Sequence, residues 1–164
     1  MPSIFSRKRD LLYFLFFVIH VPTILLADIS PLYPDSIRPA FLDRIQQFYI
    51  NTYHDKFFEE AAPAWFTVFI IMEALYHAPV SIWAIGALLR DDPLVPLNLL
   101  VWSVQTVVTT SACLAEVWSW TDRTHEQKSN LTKLYAPYAL LAAVMGLDMF
   151  LRLRGRLLPK TKRE

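Results

Sequence analysis

The chain has 164 residues, 54% of them hydrophobic and 14% aromatic, and its mean hydropathy is +0.30. A soluble domain of this length seldom runs so apolar, and a net charge of +1 gives no hold on a nucleic acid. Cys113 is the single cysteine, which excludes an intrachain disulfide, and three glycines against eleven prolines leave no flexible linker. One domain over residues 1–164 is expected.

The basic cluster Arg7-Lys8-Arg9 opens the chain and the apolar run Leu11–Ala27 follows. A basic start and an apolar core are also features of a secretory leader. The end Leu25-Leu26-Ala27 lacks the small-x-small cleavage pattern, and His20 and Pro22 interrupt the run, so cleavage is not expected. The loop Ile29–Pro63 carries Phe41, Leu42, Ile45, Phe48 and Tyr49 at helical spacing with polar residues between them. That pattern predicts an amphipathic helix lying on the membrane surface or lidding the bundle.

The run Ala64–Leu89 is long enough to cross a bilayer, since roughly 20 apolar residues span the hydrocarbon. Glu73 sits in its middle, where an acid costs about 2.5–3.5 kcal/mol on the lenient insertion scale, so it needs compensation. Arg90-Asp91-Asp92-Pro93 makes a short turn into a third run, Leu94–Trp118. After the loop Ser119–Leu134 comes a fourth, Tyr135–Leu151, and then a basic tail over residues 152–164. Pro22 and Pro79 are expected to kink their helices and open carbonyls near Val18 and Leu75, with Pro137 in the first turns of the last span. Trp65, Trp118, Trp120, Tyr135 and Tyr138 fall where an interfacial aromatic belt would lie. Asn130-Leu131-Thr132 is a formal glycosylation sequon so close to the last span that it is expected to stay unused.

The fold class expected is therefore an all-α membrane protein, a bundle of four transmembrane helices. An even number of spans puts both basic ends on one side, which the positive-inside rule makes cytosolic. The two longer loops then face the opposite compartment.

Polar side chains inside the spans converge. Glu73 and His77 are i,i+4 on one helix face, Gln105 and Thr109 repeat that spacing on the third span, and Asp28 and His20 come from the first. With Tyr135 they can line an apolar pocket carrying a few placed polar groups. Desolvation disfavours a charge on Glu73, and a neutral Glu73 could donate to ionised Asp28. The alternative is a helix-packing hydrogen bond without a ligand. Thr106 and Thr110 are expected to bond back to their own backbone. No metal cluster, phosphate loop or nucleophile triad stands out, since His20, His54, His77 and His125 are scattered; no cofactor is expected.

His20-Val-Pro22 followed by Asp28, Pro63-Ala-Trp-Phe66 ahead of Glu73 and Pro79, and Tyr135-Ala-Pro-Tyr138 resemble the sigma-2 receptor branch of the EXPERA domain proteins, in the manner of a fungal member. The resemblance runs from Leu12 to about Leu151. It implies a multi-pass protein of the endoplasmic reticulum membrane, often a homodimer, with a lumenal loop helix between spans one and two. A pocket opening toward the lumen would take a sterol or oxysterol, or cationic amphiphilic amines, among the membrane lipids. By motif position Asp28 would be the amine counter-ion, Glu73 its hydrogen-bonded partner and Asp55 a structural acid bracing the loop, with His77, Thr109 and Tyr135 lining the pocket. His77 stands where an amide is usual and Gln105 where a histidine is usual, which puts ligand preference in question. Lys160 and Lys162, fifth and third from the end, have the spacing of a dilysine retrieval signal for the endoplasmic reticulum; a basic membrane anchor is the alternative.

The related sterol isomerase branch shifts a ring double bond with an acid and a base on opposite sides of a carbocation. Glu73 and His77 could supply one pair, but their order is the reverse of the isomerase pattern, and Gln105 stands where a second acid would be needed. Fungal relatives of the sigma-2 branch are associated with the targeting of mitochondrial precursors, which makes a factor in precursor or membrane-protein handling the third reading.

Overall fold

The structure is a computed structural model that describes residues 3–34, 36 and 38–158. The expected retrieval lysines Lys160 and Lys162 lie outside the described residues. Every regular element among the described residues is helical. In chain order these are α1 (Lys8–Asp28), α2 (Ala40–Tyr53), α3 (Lys56–Glu59), α4 (Ala64–Leu89), α5 (Val95–Ser119) and α6 (His125–Leu157). α1, α4, α5 and α6 are each long and apolar enough to cross a membrane.

Local chemistry sets the boundaries. Pro63 starts α4 in extended conformation, and the Asp92 carboxylate accepts from Leu94 N at 2.9 Å ahead of α5. α6 begins at His125, inside the stretch read as a loop. The Thr124 hydroxyl accepts from Gln127 N while the Gln127 side chain accepts from Thr124 N, a capping box that satisfies two free donors. Pro137 therefore falls well inside α6 rather than in its first turns, where its ring removes the donor to the Lys133 carbonyl. The sequon lies on this helix, with the Thr132 hydroxyl donating to Lys128 O at 2.8 Å.

Two helices contain a wide turn beside the prolines expected to kink them. Ile24–Asp28 in α1 closes with Ile29 N donating to Ile24 O at 3.0 Å, and Glu73–His77 in α4 closes with Ala78 N donating to Glu73 O. Each wide turn lies next to a proline, Pro22 or Pro79, and absorbs the hydrogen-bond mismatch by adding a residue to one turn. Each also carries one acid, Asp28 or Glu73.

α5 and α6 pack against each other along their length, and α1 packs on the second half of α4. Trp102 is fully buried at the centre, with Phe17, His20 and His77 at ring-centroid distances of 5.1, 5.5 and 5.4 Å. At the end where the chain enters and leaves the bundle, buried carboxylates bind the helices together. Asp10 accepts from Arg7 and Arg152, both at 2.6 Å, and Asp148 accepts from Arg9 at 2.8 Å and Tyr13 at 3.1 Å. Arg7 also donates to Leu88 O at 2.7 Å, which ties the α4–α5 turn to the same network.

The opposite end is closed by a second core. Phe57 stacks on Phe66 at 4.3 Å and meets Trp120 edge-on at 5.2 Å. The expected aromatic belt is mostly interior: Trp120 is buried, Tyr135 and Tyr138 face inward, and only Trp118 is well exposed. α2 lids this end with Leu42, Gln46 and Tyr49 turned inward, while Phe41 and Phe48 point out. The apolar residues of α2 thus divide between its two faces.

Candidate functional site

A cavity of about 510 Å³ lies among α1, α2, α4, α5 and α6 at the lidded end. Its walls are mainly aromatic and aliphatic, with Phe16, Tyr53, Phe58, Phe66, Phe69 and Ile70 among them. Asp28 and Glu73 both face it, and no lysine or arginine among the described residues lines it. Its size and its few polar groups in an apolar wall are those of a small-molecule site.

Of the expected lining residues, Asp28, Glu73, His20, Thr109 and Tyr135 border the cavity. His77 and Gln105 do not. His77 lies one turn deeper on α4, 1% exposed and packed against Trp102. Gln105 faces His77 across the α4–α5 contact without closing a hydrogen bond to it. The Thr109 hydroxyl donates to Gln105 O at 3.0 Å, so it bonds back to its own helix as Thr106 does to Trp102 O at 2.9 Å.

The two acids are arranged differently from the expected pair. No hydrogen bond joins Asp28 to Glu73 among the described residues. The Glu73 carboxyl is instead turned between two imidazoles, with His20 Nε2 4.0 Å from Oε1 and His77 Nδ1 3.7 Å from Oε2. His20 Nε2 lies 3.2 Å from Tyr138 Oη, which fixes that ring from the α6 side.

Asp55 sits behind the cavity wall, fully buried. Its Oδ2 accepts from Tyr49 Oη at 2.8 Å and Tyr135 Oη at 2.7 Å, and its Oδ1 accepts from Phe57 N at 3.0 Å. The lid helix, the start of α3 and α6 thus meet on one carboxylate. Burial is the larger influence and pushes the Asp55 carboxyl up from its ordinary value, against the opposite pull of Tyr135, Tyr49, Phe57 N and Arg123. Arg123 Nε also donates to His54 O at 3.0 Å, holding the left-handed residue that ends α2.

Sequence reasoning gave the lid helix as one of two placements but assigned none of its residues to the cavity, and it missed the aromatic wall. Gln46, Tyr49 and Tyr53 follow one another at i, i+3 and i+7, a spacing that marks one helix face, but the phenylalanines on the other face masked it. Cys113 also borders the cavity, where as the chain's only cysteine it carries no pattern.

The fold and the cavity together define a class: a helical bundle with four membrane-length helices and an internal acidic, aromatic-walled chamber. The family model for EXPERA (EXPanded EBP superfamily) matches residues 41–149, and the chain belongs to that family. It is similar to the efficient mitochondria targeting-associated protein 19 of Schizosaccharomyces pombe, with 28% identity over 142 residues covering 85% of this chain and 74% of the relative. It is also similar to sigma intracellular receptor 2 of Xenopus tropicalis, 25% identical with 99% of each chain covered. The human sigma intracellular receptor 2 is 25% identical over 82% of this chain and 83% of its own length.

Proposed function

We propose that this chain is a single-domain protein of the endoplasmic reticulum membrane that binds a sterol, an oxysterol or a cationic amphiphilic amine in the chamber, in sterol homeostasis or as a regulator. The observation that carries the reading is the pair of carboxyls facing an apolar, aromatic chamber with no basic residue on its described walls. Among the described residues no hydrogen bond or ion pair engages the Asp28 carboxyl, which faces the cavity and is the counter-ion for a ligand ammonium; the aromatic rings take the apolar body. The likeness to the sigma receptors supports the homodimer, the location and the orientation, with both termini cytosolic and α2 on the lumenal side. Lys160 and Lys162 serve as the retrieval signal in that orientation.

Saturable binding of a tertiary-amine amphiphile and of a sterol by the purified protein in detergent tests the reading. Binding of neither would sink it. The same preparation should leave a Δ8 sterol unchanged, and its conversion to the Δ7 isomer would put the isomerase reading first. A second reading is favoured by the name of the fission-yeast relative, a role in delivering mitochondrial precursors. Loss of mitochondrial import in a deletion strain, restored by wild type but not by an Asp28→Asn variant, would join the two.

A further inference from the structure

At the end of the bundle opposite the chamber, one arginine is held where a charge is costly. Pro79, Ile82, Gly86 and Leu89 recur at helical spacing on α4, and Ile82 and Leu89 are 53% and 48% exposed, so this stripe faces lipid. Arg90 ends the helix, and its guanidinium is folded back along the stripe: a Cβ on Gly86 would stand 2.9 Å from Arg90 Nη1. Glycine at 86 leaves the slot that the guanidinium fills. Four residues at 1.5 Å rise put the charge about 6 Å below the helix end, toward the middle of the membrane. An arginine at a helix end ordinarily extends its stem the other way, to water. No carboxylate among the described residues meets Arg90. Asp91 takes Arg7 at 3.2 Å, Asp92 accepts from Leu94 N, and Asp10 and Asp148 hold Arg7, Arg9 and Arg152. Arg156 Nη1 donates to Pro93 O at 2.7 Å, which brings a second guanidinium without a carboxylate to the same turn.

The geometry points to a lipid site at this corner, in which Arg90, laid on Gly86, binds the phosphate of an anionic phospholipid in the adjoining leaflet. A guanidinium held against an apolar stripe needs an anion, and at that depth the membrane supplies one, the phosphodiester that joins headgroup to acyl chains. The planar fork of arginine can donate two N–H groups to it. Ile82 and Leu89 give the acyl chains an apolar bed beside the charge. The surrounding charge selects among lipids. Arg156, with Lys8 and Arg154 at the same end, has no carboxylate partner among the described residues. These cations repel the ammonium of a zwitterionic headgroup and attract a headgroup that is negative overall. The contact requires α4 to cross a bilayer and is independent of what the chamber binds.

Trp83 lies one turn from Gly86 on the same side of α4 and reports on lipid there. The full-length protein is reconstituted in phosphatidylcholine vesicles, and its quenching by brominated phosphatidylglycerol is compared with that by brominated phosphatidylcholine. A Trp83→Phe variant isolates the Trp83 signal, since Trp65, Trp118 and Trp120 lie toward the lidded end and Trp102 is fully buried. The expected result is a relative binding constant at Trp83 about fivefold higher for phosphatidylglycerol, the order of one basic side chain at an anionic surface. Arg90→Gln should abolish that preference. Gly86→Ala should reduce it with every charge retained, because the added Cβ displaces the guanidinium. Lys8→Gln removes the same charge from the same end and should leave most of the preference. Equal quenching by the two lipids in wild type overturns the site. Equal losses in Arg90→Gln and Lys8→Gln also overturn it and leave only diffuse surface charge. Displacement of the brominated lipid by millimolar inorganic phosphate would assign Arg90 to a soluble anion and overturn the lipid.

Discussion

Asp28 and Glu73 are the residues where sequence and chemistry meet most directly, and on the proposed reading a change at Asp28 should separate the two ligand types. Asp28→Asn keeps the size and removes the charge. It should cost a bound amine on the order of 3–5 kcal/mol, several hundredfold in affinity, as for breaking a partly buried ion pair. A sterol hydroxyl can bond an amide, so sterol affinity should change little. Parallel titrations of both ligands check this, and equal losses would leave Asp28 as a structural acid. Asp55 belongs to the scaffold behind them. Asp55→Ala leaves the Tyr49 and Tyr135 hydroxyls and Phe57 N without their acceptor, at about 1–3 kcal/mol for each buried group, and should lower the melting temperature clearly. Burial raises the folded-state pKa of Asp55 above its unfolded value, so the folded state binds the proton more tightly. That penalty on the ionised form grows as pH rises through the folded pKa and is relieved as pH falls below it. Wild type should therefore gain stability relative to Asp55→Asn as a thermal series is taken from neutral toward acid pH, and an unchanged difference would refute the burial argument. Acids within or at the end of an apolar run are conspicuous, which is why Asp28 and Glu73 stood out, whereas Asp55 in its polar loop came only from the family resemblance. His77 was misplaced because i,i+4 spacing gives a face and not a depth, and the Trp102 indole covers that turn.

At the scale of elements, the four long helices could be read from their apolar runs, while their irregularities could not. Proline announced a disturbance in α1 and α4, but whether the chain kinks or widens depends on neighbours that let the extra residue be housed. The start of α6 was hidden because His125–Leu134 is polar, and its capping box is a local signal weaker than the composition around it. α2 was visible as a helix, and its inner face carries both the buried Leu42 and Tyr49, whose hydroxyl is anchored on Asp55. The α5–α6 contact gives a sharper test. A Cβ on Gly146 would meet Ser103 Cβ at 3.1 Å, whereas one on Gly155 meets nothing within 4 Å. Gly146→Ala should force the helices apart and destabilise, by about 1–3 kcal/mol if the contact behaves as an overpacked core. Gly155→Ala should stabilise by roughly 0.5–1 kcal/mol, since it only removes glycine's excess backbone freedom from a helix. Thermal unfolding of the pair in one detergent measures both signs.

Across the whole molecule, two ends of opposite character divide the work. One end is an ionic clamp in which Asp10 and Asp148 gather Arg7, Arg9 and Arg152 from α1, α6 and the segment before α1, with the α4–α5 turn joined through Asp91. The other is the lidded chamber, where α1 and α4 widen to present their acids. This division makes orientation a functional statement, because it decides which compartment the lid faces. The charge excess near the clamp, with Lys8, Arg90, Arg154 and Arg156 added to the paired arginines, supports the proposed cytosolic placement of that end, as the positive-inside rule expects. Arg152 donates to Asp10, so both ends of the bundle's chain emerge on that same face. Tags placed at each terminus should therefore be digested by protease added to sealed microsomes, while a tag inserted in the α5–α6 loop near Asp122 should survive until detergent is added. Terminal tags protected in sealed vesicles would invert the molecule, turn the lid toward the cytosol and remove the retrieval role from Lys160 and Lys162 together.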